Sequence, residues 1–245
     1  MIPSSVVASV GAAAAMSAAW PVVLYAVCRK RMTLAARNIW IGVGMFFLSA
    51  LVLERLLHFY VLKANPDSSE FLKTHPMWMA LYGCCAAALF EEAGRYLGMR
   101  FLVRPTGNPG TAVAYGIGHG GMESIVVGSL GLLNAFVFAL MVNAGTFDAT
   151  FKPVLAPDVL AQLHGSLAQL SVLTSMISTL ERLAALLIQI GLSLLVWRAV
   201  ERRQLRWLAL ALLAHSGIDF FPALAQTGQL SGAVVEGGLM VLAIG

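Results

Sequence analysis

Charge is scarce in these 245 residues: only 11% are Asp, Glu, Lys or Arg, against about 25% in a soluble domain. That excludes a water-soluble globular fold. Alternating polar and apolar residues are missing too, which excludes an outer-membrane barrel. No polar block is long enough to fold separately, so residues 1–245 form a single domain. Cysteine is confined to Cys28, Cys84 and Cys85, with no CxxC spacing. Neither a disulfide framework nor a cysteine metal site is implied. Cys84 and Cys85 point to different sides of one helix, as small packing residues. No internal repeat is visible, which weighs against a transporter built from inverted halves. No basic residue precedes the first apolar run, and Arg29, Lys30 and Arg31 follow it. A signal peptide has the reverse layout, so this run reads as a retained helix.

What is abundant is hydrophobic sequence: 59% of the chain, in runs long enough to cross about 30 Å of hydrocarbon as helices. The fold class is all-α, a polytopic membrane bundle of about seven helices. They run from about Val6 to Cys28, Asn38 to Leu62, Pro76 to Val103, Thr111 to Ala144, Leu170 to Val200 and Leu205 to Phe221, with a seventh after Pro222 or Gly228. Pro21 marks a kink in the first. Lys63 to His75 reads as a polar loop, Pro105 to Gly110 as a break, and Gly145 to Gly165 as a loop followed by a short interfacial piece. The fourth run is too long for one straight span. Its glycines (116, 118, 120, 121 and 128) predict a bent helix or close packing. The chain ends at Gly245 without an interfacial anchor, the pattern of a truncated helix.

Basic residues set the expected orientation. Arg29, Lys30, Arg31 and Arg37, then Arg95, Arg100 and Arg104, then Arg198, Arg202, Arg203 and Arg206 all fall at one membrane face. Only Lys63, Lys73 and Lys152 fall at the other. The N-terminus is therefore expected outside and the C-terminus inside, in a bacterial plasma membrane. This asymmetry explains the net charge of +4 without invoking nucleic acid.

Ionisable groups inside a membrane are costly and point to function. Glu91 and Glu92 lie in the third helix, His119 and Glu123 in the fourth, His215 and Asp219 in the sixth. At about 1.5 Å of rise per residue, His119 and His215 each lie roughly 12 Å from the inner start of their helices. Glu91 lies at a similar depth, so three helices place polar groups in one layer, expected to be reachable from the cytoplasm. The pairs His119/Glu123, His215/Asp219 and Glu91/Arg95 each share a helix face. A second set, Glu54 and Arg55 with Glu181 and Arg182, lies nearer the outer side and reads as ion pairs tying the second and fifth helices together. Ser171, Thr174, Ser175 and Ser178 form a polar stripe toward Arg182.

The inner layer holds the parts of a hydrolytic site. Glu91, held ionised beside Arg95, suits a general base toward water, and His119 can share that water. His215 with Asp219 can polarise a carbonyl or stabilise an oxyanion. The same donors would also suit zinc. With no HExxH motif, metal-free chemistry with no cofactor ranks first and zinc second. Three other functions use the same residues: a proton-coupled transporter, a b-type haem held by His119 and His215, and a non-catalytic scaffold.

Three motifs sharpen the reading. Glu91-Glu92-Ala93-Gly94-Arg95, Tyr115-Gly116-Ile117-Gly118-His119 and His215-Ser216-Gly217-Ile218-Asp219 resemble the EExxxR, FxxxH and HxxxN/D motifs of the CAAX-protease and bacteriocin-processing superfamily. The arginine sits one residue early, and Tyr115 replaces the phenylalanine. Within that superfamily the chain looks most like the YhfC family of intramembrane proteases, in helix count and in a GHGGxE-type fourth helix. The resemblance runs over most of the chain. It implies a glutamic-type intramembrane endopeptidase acting on a membrane-associated peptide or protein. In it Glu91 and His119 activate water, Glu92 supports them, and His215 with Asp219 forms the oxyanion side. Glu123 resembles an acidic position of the related PrsW-like proteases.

Overall fold

The computed structural model describes residues 1–103 and 107–230, and these form helices joined by short turns, without strands. Nine helices follow in order. They are α1 (Ser4–Cys28), α2 (Ala36–Ala64), α3 (Pro66–Thr74), α4 (Pro76–Leu97), α5 (Gly110–Asn143), α6 (Phe147–Phe151), α7 (Pro157–Ala168), α8 (Val172–Arg202) and α9 (Arg206–Gln226). Five of them, α1, α2, α5, α8 and α9, are long and apolar enough to cross a membrane. At 22 residues, α4 has the length as well, about 33 Å, but Glu91, Glu92 and Arg95 dilute its apolar character. The stretch 231–245, where the sequence predicts a seventh helix, lies outside the described residues.

Local chemistry explains where helices start. Proline occupies the first turn of α3, α4 and α7, where its missing N–H costs nothing. Ser171 caps α8 in a reciprocal box with Thr174, so two members of the supposed interior stripe are cap residues. Of the other two, Ser175 is buried and takes a bond from Ser9 Oγ at 3.1 Å. The expected loop from Lys63 to His75 is mostly α3. Asn65 accepts from the N–H groups of Asp67 and Ser68 and starts it. The sixth run also extends further than expected, through Pro222 to Gln226.

The glycine-rich α5 is the hub, packed against α1, α2 and α8. A Cβ on Gly118 would lie 2.0 Å from the Ile39 carbonyl oxygen, and one on Gly42 would lie 2.2 Å from that of Tyr115. Only glycine lets α2 and α5 approach this closely, the small-residue logic of membrane helix packing. The length of α5 is accommodated by a wide π-helical stretch, Ser124–Ser129, directly after Glu123. Similar stretches occur at Phe47–Glu54 in α2 and at Gly98–Val103 after α4. Such widened turns often mark functional positions.

Candidate active site

The Glu91–Glu92 pair on α4 splits its two side chains between different partners. Glu92 is fully buried. Its Oε1 accepts from Arg95 Nη1, three residues on, and from His215 Nδ1 on α9 at 2.7 Å. Glu91 turns to α5, where His119 Nε2 donates to its Oε2 at 3.0 Å. Arg95 Nη2 stands 3.7 Å from that oxygen. The i,i+3 and i,i+4 geometry of α4 thus lets one arginine serve both carboxylates.

His215 has a second carboxylate on its other ring nitrogen: Nε2 lies 3.2 Å from Asp219 Oδ2, one turn along α9. Glu91, Glu92, Arg95, His119, His215 and Asp219 therefore form one continuous network across three helices. His119 is fully buried, with Phe46 edge-on at 5.1 Å and Tyr115 stacked at 5.9 Å. Its Nδ1 has no partner among the described residues. Glu123 stands apart from the network. It shares a face with His119, but His119 bonds Glu91 instead, and Glu123 Oε2 has no partner among the described residues.

One central residue escapes the motifs. Gln189, buried on α8, accepts from Arg95 Nη2 and donates from Nε2 to Glu91 Oε2 at 3.4 Å. The available signal was a lone amide between Ile188 and Ile190 in an apolar run.

A cavity of about 580 Å³ adjoins the network and is lined by Glu91, Glu123, Gln189, His215 and Asp219. Glu91 Oε1 takes part in none of the bonds above, which leaves one carboxylate oxygen for a ligand in that space. The expected outer layer lines the same cavity: Glu54, Arg55, Glu181 and Arg182 stand on its walls. They do not tie α2 to α8 as expected. Arg182 pairs with its own neighbour Glu181 at 2.8 Å, and Glu54 with His58 at 3.1 Å. No ion pair joins the two helices among the described residues, because the cavity separates them.

Residues 16–240 match the model of a family described as YhfC intramembrane metalloprotease. A relative from Bacillus subtilis (strain 168), described as "Uncharacterized membrane protein YhfC", is 32% identical over 233 residues, covering 95% of this chain and 90% of the relative. No solved structure matches. With its apolar helices, the chain is a multi-pass membrane protein, and it belongs to the YhfC intramembrane metalloprotease family.

Proposed function

We propose that this family member is an intramembrane endopeptidase that hydrolyses a peptide bond of a membrane-associated substrate. The observation that carries the reading is Glu91 on the cavity wall with His119 bonded behind it, and His215 and Asp219 on neighbouring α9 lining the same cavity. A water beside Glu91 Oε1 and His119 is activated when Glu91 takes its proton. The hydroxide adds to the scissile carbonyl. As it forms, the oxyanion takes the place of Asp219 on His215 Nε2, since Nδ1 stays on Glu92, and that N–H stabilises it. Glu91 then returns the proton to the leaving amine. Glu92 and Arg95 are positioning residues: they fix the rotamers of His215 and Glu91.

A second reading is favoured by the donor set. Two histidines and a carboxylate with an open position are a known catalytic zinc pattern. The partnerless Nδ1 of His119 fits it, and so does the carboxylate behind His215, since zinc-bound imidazoles are oriented by such carboxylates. Glu91, His119 and His215 would hold the ion. It would supply a polarised water or carbonyl when bound. Among the described residues no three of these donors are grouped around one point, so they would have to turn to reach it.

Two experiments test these readings. New protein termini in membranes of cells making wild type are compared with those from Glu91→Gln, His119→Ala and His215→Ala by terminal-peptide mass spectrometry. Products seen with wild type and lost in all three variants support hydrolysis, and identical products in all four overturn it. Elemental analysis with chelator treatment then separates the mechanisms. Stoichiometric zinc whose removal stops cleavage selects the metal reading, and full activity after chelation selects the glutamate-activated water.

A further inference from the structure

The cavity has a direction along the bundle. On α4 its lining starts at Glu91 and runs back toward Gly83. On α8 it starts at Gln189 and runs back to Glu181, and on α9 it starts at His215 and runs on to Gln226. Helices α4 and α8 run parallel and α9 runs antiparallel to them, so all three ranges extend toward the same end of the bundle. The lining of α2 and α5 extends the same way. In the opposite direction the same helices converge in a closed apolar core around Met99, Tyr115, Val196, Trp197 and Ala211. Met99, Tyr115, Val196 and Ala211 are essentially inaccessible. The catalytic network is therefore the floor of a well, not the midpoint of a channel.

The closed end is the one bearing the arginine-rich connections. Arg198 and Arg206 there stack on Trp207 at 5.0 and 5.5 Å, the aromatic and basic pairing of a membrane interface. The open end carries α3, α6 and α7, whose acidic residues balance a few lysines. Positive residues mark the cytoplasmic face, so the floor is sealed from the cytoplasm. That reverses the access expected from depth alone. Near the mouth the walls carry Glu54, Arg55, Glu181 and Arg182. Inserting an intact apolar helix beside them would desolvate four charges, whereas an extended polar segment would solvate them.

We propose that the well opens on the extracytoplasmic side and that the substrate is an unwound peptide segment presented from that side. The word substrate rests on the peptidase reading, whereas the access route does not. Single-cysteine variants test it in a chain carrying Cys28→Ser, Cys84→Ala and Cys85→Ser. Ala87→Cys and Ala223→Cys report the well. Glu70→Cys and Gln204→Cys report the two membrane faces, and Met99→Cys reports the closed core. A membrane-impermeant sulfonated methanethiosulfonate is applied to intact cells and to inside-out vesicles. In cells, both well positions should label with Glu70→Cys. In vesicles where Gln204→Cys labels, they should react at least tenfold more slowly, and Met99→Cys should stay silent throughout. Labelling of the well from the Gln204 side, from both sides or from neither overturns the proposal. Labelling needs no turnover, so an inactive protein with an outward-facing well would refute the peptidase reading and leave this one standing.

Discussion

Glu92 and His215, 123 positions apart in the chain, meet through a 2.7 Å hydrogen bond that locks α9 onto α4 beside the candidate nucleophile site. The same carboxylate neutralises the fully buried Arg95. Two adjacent glutamates thus have opposite jobs: Glu92 holds the helices together, and Glu91 faces the cavity.

Glu92→Ala should therefore act on stability first. It leaves the Arg95 guanidinium buried without its main counter-charge, a loss of about 3–5 kcal/mol for a broken buried pair. Thermal unfolding in detergent should show a fall of several degrees, with activity lost alongside. Unfolding at the wild-type temperature would contradict the bracing role.

Glu91→Gln should do the reverse. The amide keeps the size of the side chain and an acceptor for His119, but it cannot take a proton. Cleavage should fall by roughly 10²–10⁴-fold, the scale of a lost general base, while the unfolding temperature stays near wild type. An active Glu91→Gln protein would remove Glu91 as the base.

Gln189→Leu should lie between these. The substitution keeps the volume but removes both the acceptor for Arg95 and the donor to Glu91. A buried partner left unsatisfied costs about 1–3 kcal/mol. Cleavage should drop by roughly ten- to a hundredfold with substrate affinity nearly unchanged, and Gln189→Glu should not restore it. A rise in KM at constant kcat would show instead that Gln189 binds substrate.

The glycines of α5 and its neighbours separate packing from mere composition. Gly118→Ala drives a Cβ to 2.0 Å from the Ile39 carbonyl, so α2 must move away. A loss of about 3 kcal/mol or more is expected, at the upper end for overpacking. Gly131→Ala, with nothing within 4 Å of its Cβ, should be neutral or slightly stabilising. Equal unfolding temperatures for the two variants would refute the close approach.

The long apolar runs made the bundle legible, because a membrane leaves helices few alternatives. Glu91, His119 and His215 were legible because an ionisable group in such a run is conspicuous. Gln189 was not, since an uncharged amide weighs little in a hydropathy pattern. The pairing of Glu181 with Arg182 and of Glu54 with His58 was hidden because depth along a helix does not reveal what faces a residue across a gap. For the same reason, depth alone did not reveal that a packed core around Tyr115 lies between the network and the arginine-rich end of the bundle. The short α3 carried its own signal in Asn65-Pro66, a cap followed by an N-terminal proline, but its polarity made it read as a loop.

The most direct test is hydrolysis by the purified protein in lipid nanodiscs. Wild type, Glu91→Gln, His119→Ala and His215→Ala would each be given a membrane-proteome peptide library in heavy-oxygen water. Wild type should create new carboxyl termini carrying one heavy oxygen, and the three folded variants should fall to background. Products formed equally by all four proteins, or none from wild type across the library, would contradict an intramembrane peptidase built on these residues.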